Sequence, residues 1–104
     1  MTERRGAKES LVGTWTKATD EACADRYPAT LTFATGTYRG VRAATQGFVS
    51  WDAGIYRLEG PDTLVMGTAT DALESYRIAI EADRFDVTDA EGCRVSYRRD
   101  PRTP

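Results

Sequence analysis

The residues best suited to chemistry are aromatics with a polar tip. Tyr38, Trp51, Tyr56, Tyr76 and Tyr97 all fall in segments that read as β-strands. A strand tyrosine that faces inward must pair its hydroxyl, because burying it unpaired costs about 1–3 kcal/mol. A bound ligand is one such partner, and water at a barrel rim is the other. These five residues are therefore the candidate ligand-binding set. Among the acids, Asp52 adjoins Trp51, where loss of solvent would raise its pKa and suit it to acid–base work. The plainer role for Asp52 is to form the turn ahead of Ala53 and Gly54. Glu74, near Tyr76, points either to a barrel mouth or to the surface.

Other chemistry is argued against. The chain has no histidine, the usual general base near neutral pH and the commonest metal ligand. Cys23 and Cys93 stand seventy positions apart and outside any CxxC pair, so no metal site is expected. No serine or cysteine nucleophile accompanies a base, and there is no phosphate-cradling glycine loop or dinucleotide fingerprint. Hydrolase and kinase chemistry are not expected, and no cofactor is implied.

What must position these residues is a sheet. Residues 11–16 alternate Leu11, Gly13 and Trp15 with Val12, Thr14 and Thr16. The same period of two recurs at 29–34, 54–59, 74–81, 84–88 and 93–99, as a half-buried sheet requires, and 37–41, 48–51 and 63–69 read as further short extended segments. Gly60-Pro61-Asp62 and Ala90-Glu91-Gly92 are turn signals. The stretch 16–25 has no apolar stripe and reads as a loop with one helical turn at most. Eight or nine short strands joined by tight turns predict an all-β domain, a small closed antiparallel up-and-down barrel. Closure removes the unpaired edges that an open sheet exposes, and a β-sandwich is the competing architecture. The barrel is expected over 11–99, with flexible segments at 1–10 and 100–104. Gly13, Gly40, Gly54 and Gly67 lie in or beside strands. They either leave space for one small ligand inside an eight-stranded barrel or mark bulges and corners.

At 104 residues this is one domain, with 40% hydrophobic and 29% charged residues as in ordinary globular proteins. Residues 11–93 hold seven basic and thirteen acidic groups, a net of −6. That balance argues against nucleic acid, which needs a broad positive face. No apolar run approaches the roughly 18–20 residues of a membrane span. The first residues do not read as a secretory signal, so the expected location is the cytoplasm.

Gly13-Thr14-Trp15 on the first strand of an all-β chain resembles the G-x-W element of the lipocalin (calycin) group. The resemblance implies that Trp15 closes one end of the barrel under a basic residue from the last strand, here Arg98 or Arg99. A cation over an indole contributes about 0.5–2 kcal/mol. In such a barrel the first and last strands pair, which brings Cys23 and Cys93 to the opposite end. Whether they bond is left open, since a cytoplasmic chain should keep both thiols reduced. The T-D-Y element of lipocalins has only a partial echo in Thr70-Asp71. Gly36-Thr37-Tyr38 is similar to an early avidin strand, but the chain lacks the asparagine that avidins turn to their ligand.

Three functions fit this reading. The first is binding of a small apolar or amphipathic molecule in an aromatic-lined barrel. The second is a cofactor-free cyclase or isomerase of natural-product biosynthesis, acting through proximity and tyrosine hydrogen bonds. The third is a protein-binding module such as a protease inhibitor. The first two need a cavity, whereas the third can be solid. A homodimer is left open.

Overall fold

The computed structural model describes residues 11–19 and 21–100. Among the described residues, eight strands follow one another: β1 (Gly13–Lys17), β2 (Thr30–Phe33), β3 (Thr37–Val41), β4 (Ala53–Glu59), β5 (Thr63–Gly67), β6 (Leu73–Glu81), β7 (Arg84–Thr88) and β8 (Arg94–Arg99). A 3₁₀ turn, Ala22–Arg26, lies between β1 and β2. Each strand pairs antiparallel with the next. β8 returns to β1, setting Trp15 opposite Arg99 and Lys17 opposite Tyr97. The fold is thus a closed up-and-down barrel compatible with a lipocalin-like architecture, and the β-sandwich is excluded. Among the described residues, no helix is long and apolar enough to cross a membrane.

Period-two alternation is what buries the core. In β6, Tyr76 and Ile78 are buried while Arg77 and Ala79 are exposed; in β7, Phe85 and Val87 are buried between more exposed neighbours. One expected strand does not form. Residues 48–51 belong to the long connection between β3 and β4, with Val49 and Trp51 buried on alternate positions. Their alternation reflects a loop laid over the barrel end. The Ser50 amide donates to the Arg26 carbonyl, and the Ser50 carbonyl accepts from Ala69. These two bonds go to different loops, so no ladder is built.

The barrel has a foot and a mouth. Trp15, the β4–β5 turn and the β8 end mark the foot, and the four longer connections gather at the mouth. Between them the axis is filled with rings. Trp15 meets Phe85 with centroids 4.7 Å apart, Phe85 meets Tyr97 at 5.2 Å, Tyr97 meets Trp51 at 6.4 Å, and Trp51 meets Tyr76 at 5.2 Å and Tyr27 at 4.8 Å. Such a chain fills an eight-stranded barrel, whose bore is only about wide enough for its own side chains.

The inward glycines do not open a cavity. A Cβ at Gly40 would clash with the Trp51 carbonyl oxygen and lie 2.8 Å from Pro28 Cγ. At Gly54 it would lie 3.0 Å from the Gly67 carbonyl oxygen. Backbone and neighbouring side chains occupy the space that a ligand was expected to use.

At the foot, Arg99 carries the basic role: its guanidinium carbon lies 4.3 Å from the Trp15 ring centroid. Arg98 alternates to the outer face, opposite Thr16, and is exposed. The segments at 1–10 and 101–104 lie outside the described residues. Asp100, expected to begin the tail, donates its amide to the Thr14 carbonyl at 2.8 Å. Cys23 and Cys93 do meet at the mouth and are disulfide-bonded, with Cα atoms 6.0 Å apart. The bond that the sequence left open is formed, because β8 begins beside the 3₁₀ turn, within bonding reach.

Candidate functional site

The five expected site residues are all buried, but they do not form one constellation. The Tyr38 hydroxyl donates to the Gly67 carbonyl, Tyr56 donates to the Ala34 carbonyl at 2.7 Å, and Tyr97 donates to the Pro28 carbonyl at 2.6 Å. These three hydroxyls are satisfied by the backbone and tie adjacent parts of the chain together. Burial raises the pKa of each.

Trp51 and Tyr76 are different. The indole N–H of Trp51 is the one buried side-chain polar atom among the described residues without a hydrogen-bond partner. Tyr76 packs edge-on against it, ring planes 88° apart. Burial raises the Tyr76 pKa, the nearby Trp51 N–H lowers it, and the Glu74 and Asp89 charges raise it again. The N–H thus lies close to the Tyr76 hydroxyl, with no hydrogen-bond partner of its own.

Tyr76 lines a cleft of about 240 Å³ at the mouth, together with Tyr27, Phe48, Glu74, Asp89 and Arg26. Phe48 is exposed on the rim. Glu74 shares the inward parity of β6, opposite Met66, and so turns its carboxylate to the mouth. Asp52 lies elsewhere: it is exposed, and its carboxylate accepts from the Ala53 amide at 2.6 Å, which is the turn-forming role.

Two residues that build this mouth were outside the expected set. Tyr27 follows the 3₁₀ turn, and its hydroxyl donates to Asp89 at 2.6 Å. Asp89 also accepts from the amides of Glu91 and Cys93, both at 2.9 Å, while Arg26 lies 3.4 Å from Asp89 and 2.5 Å from Glu91. Burial works to raise the Asp89 pKa, but these donors outweigh it and the net shift is downward. The signal for Asp89 was present in Asp89-Ala90-Glu91-Gly92, since an aspartate opening a tight turn caps following amides.

Gln46 and Lys17 hold the loops beneath. Gln46 donates to the carbonyls of Asp25 and Tyr27 and accepts from the Ala43 amide. Lys17 donates to the carbonyls of Ala24 and Tyr27. Tyr27 is thereby fixed from both sides, and the mouth is a preformed surface. Among the described residues, no group of three or more histidine, cysteine, aspartate or glutamate side chains is placed to hold a metal ion. No family model, curated protein or solved structure matches this chain.

Proposed function

We propose that this barrel binds a small amphipathic molecule at its mouth rather than along its bore. The observation that carries this reading is the aromatic cleft at Tyr76, which Tyr27 and Phe48 also line. The apolar part of a ligand would lie on Tyr27, Tyr76 and Phe48, and its polar end would meet the hydroxyls and charges of the rim. The Cys23–Cys93 bond favours an oxidising compartment over the cytoplasm as the working location. Nothing in the geometry favours turnover over binding.

Native mass spectrometry of the intact, oxidised protein after exposure to a small-molecule extract of its host tests this reading. The expected result is a retained small molecule on the wild type that Tyr76→Ala fails to hold. A bare mass on the wild type, with Trp51 fluorescence unmoved, would overturn it.

A further inference from the structure

β6 overhangs its neighbour. It runs Leu73–Glu81, whereas β7 ends at Thr88, opposite Arg77. The Ile78 amide donates to the Asp62 carbonyl, and the Ala72 carbonyl accepts from Thr68. Even-numbered residues of β6 therefore turn their backbone groups toward β5, and odd-numbered residues turn theirs toward β7. Ala79 and Arg77 meet Asp86 and Thr88 in this way. Ser75 and Leu73 come next in the series and have no strand beside them. Ala90, which would continue β7 opposite Ser75, sits in a turn closed by Asp89 and Gly92. Among the described residues, no loop hydrogen bond reaches Ser75 or Leu73.

The gap is accessible from two sides. The mouth cleft lies on its inner side, and a second cleft of about 310 Å³ lies on its outer side. Both are lined by Ser75, Tyr76, Asp89 and Ala90. An edge of this kind is a template for another strand.

Glu74 selects the strand. It stands between the two open residues, so its opposite number in an added strand forms a non-hydrogen-bonded pair, where side chains approach closest. A second copy pairing about a two-fold axis at this point would set two glutamates against each other. A lysine or arginine there would be attracted instead, with its aliphatic stem on Tyr27 and Tyr76. Among the described residues that line the mouth cleft, the cation is Arg26, already engaged by Asp89 and Glu91.

We propose that the β6 edge at residues 73–76 binds an extended peptide segment that places a basic residue opposite Glu74. This goes beyond the small-molecule reading, because a small amphiphile would leave the backbone groups of Leu73 and Ser75 unpaired.

The probe is a blocked pentapeptide of alternating threonine and valine around a central lysine, compared with versions carrying norleucine or glutamate at the centre. Amide shifts and hydrogen exchange are followed by NMR on the full, oxidised chain. The lysine peptide should move and protect the Ser75 and Leu73 amides and bind about fivefold tighter than the glutamate peptide. Glu74→Lys should reverse that order. Ser75→Pro removes an edge donor that the barrel's own ladder does not use, and should abolish peptide binding. Unmoved Ser75 and Leu73 amides at millimolar peptide, equal affinity for all three peptides, or full binding by a folded Ser75→Pro would each overturn the proposal.

Discussion

Arg99 lies over the Trp15 indole at the barrel foot, its guanidinium carbon 4.3 Å from the ring centroid. The two residues are cross-strand partners in the β1–β8 pairing that closes the barrel. Arg99 also donates to the Val12 carbonyl at 3.0 Å. It therefore covers the end of the core and ties down the chain entering β1. Arg99→Ala should lower stability by about 1–2 kcal/mol, the cation–π contribution with its hydrogen bond. Arg98→Ala, on the outer face, should stay within about 0.5 kcal/mol of wild type. Urea denaturation followed by tryptophan fluorescence separates the two, and equal losses would remove Arg99 from its closing role.

All five tyrosines have raised pKa values, and burial is the leading cause in each. A tyrosine held neutral in the fold stabilises it fully below its unfolded pKa near 10, and that contribution is lost as pH rises toward the folded value. Absorbance at 295 nm should therefore stay flat through about pH 10 and rise together with alkaline unfolding. A tyrosine titrating near 10 in the folded protein would show that the axis is open to water.

The acid side has the opposite sign. The net shifts of Asp86 and Asp89 lie below the ordinary 3.8, because Ser96 and Arg84 in one case, and Tyr27 and the turn amides in the other, outweigh the effect of burial. Their contribution is present above the unfolded pKa and is lost as pH falls through the folded one. Stability should be level above about pH 5 and decline below about pH 4. Asp89→Asn should flatten part of that decline while lowering stability at neutral pH, measured by urea denaturation across the range.

The disulfide adds a covalent tie between the 3₁₀ turn and the start of β8 across 70 positions. Closing so long a loop contributes about 4 kcal/mol in the chain-entropy model. Reduction, or Cys23→Ser with Cys93→Ser, should lower the unfolding midpoint markedly and loosen the mouth before the foot. Hydrogen exchange would show this as early loss of protection near Tyr27 and Asp89, with protection at Trp15 and Phe85 retained. A uniform loss would place the disulfide's effect on the whole barrel.

Most strands were legible because they alternate, and alternation is a local property of the chain; β5, with Leu64, Val65 and Met66 all buried, does not. Leu31 and Phe33 between threonines, or Tyr76, Ile78 and Ile80 between exposed residues, can be read without knowing what they touch. The contents of the barrel were not legible in this way. Trp51 enters the core from a loop, and its short alternation with Val49 copies that of a strand. Tyr27 sits in a segment with no periodicity, and its place depends on Asp89, 62 positions away. The four site tyrosines turn inward and are buried, a choice between core and rim that the sequence left open. Which hydroxyl finds a carbonyl depends on register between strands, and a single strand's sequence does not contain that information.

Gly40 shows the same dependence as a packing constraint. It lies on β3 opposite Leu31, and its amide donates to the Asp52 carbonyl at 2.7 Å. That bond draws the end of the long loop against the strand and sets the Trp51 carbonyl where a side chain at residue 40 would go. Pro28 Cβ and Cγ, at 3.1 and 2.8 Å from that position, close the remaining space. The obstacle is mainly backbone and a rigid ring, so a rotamer change does not relieve it. Gly40→Ala should therefore cost about 3 kcal/mol or more, well above the usual effect of adding one methyl group to a strand. The loop that carries Trp51 should lift from the mouth, moving tryptophan emission to longer wavelength in the protein that still folds. Gly47→Ala, in the same loop with open space around its Cβ position, is the control and should leave stability and emission unchanged. Similar behaviour of the two variants would mean that Trp51 is not seated by its contact with β3.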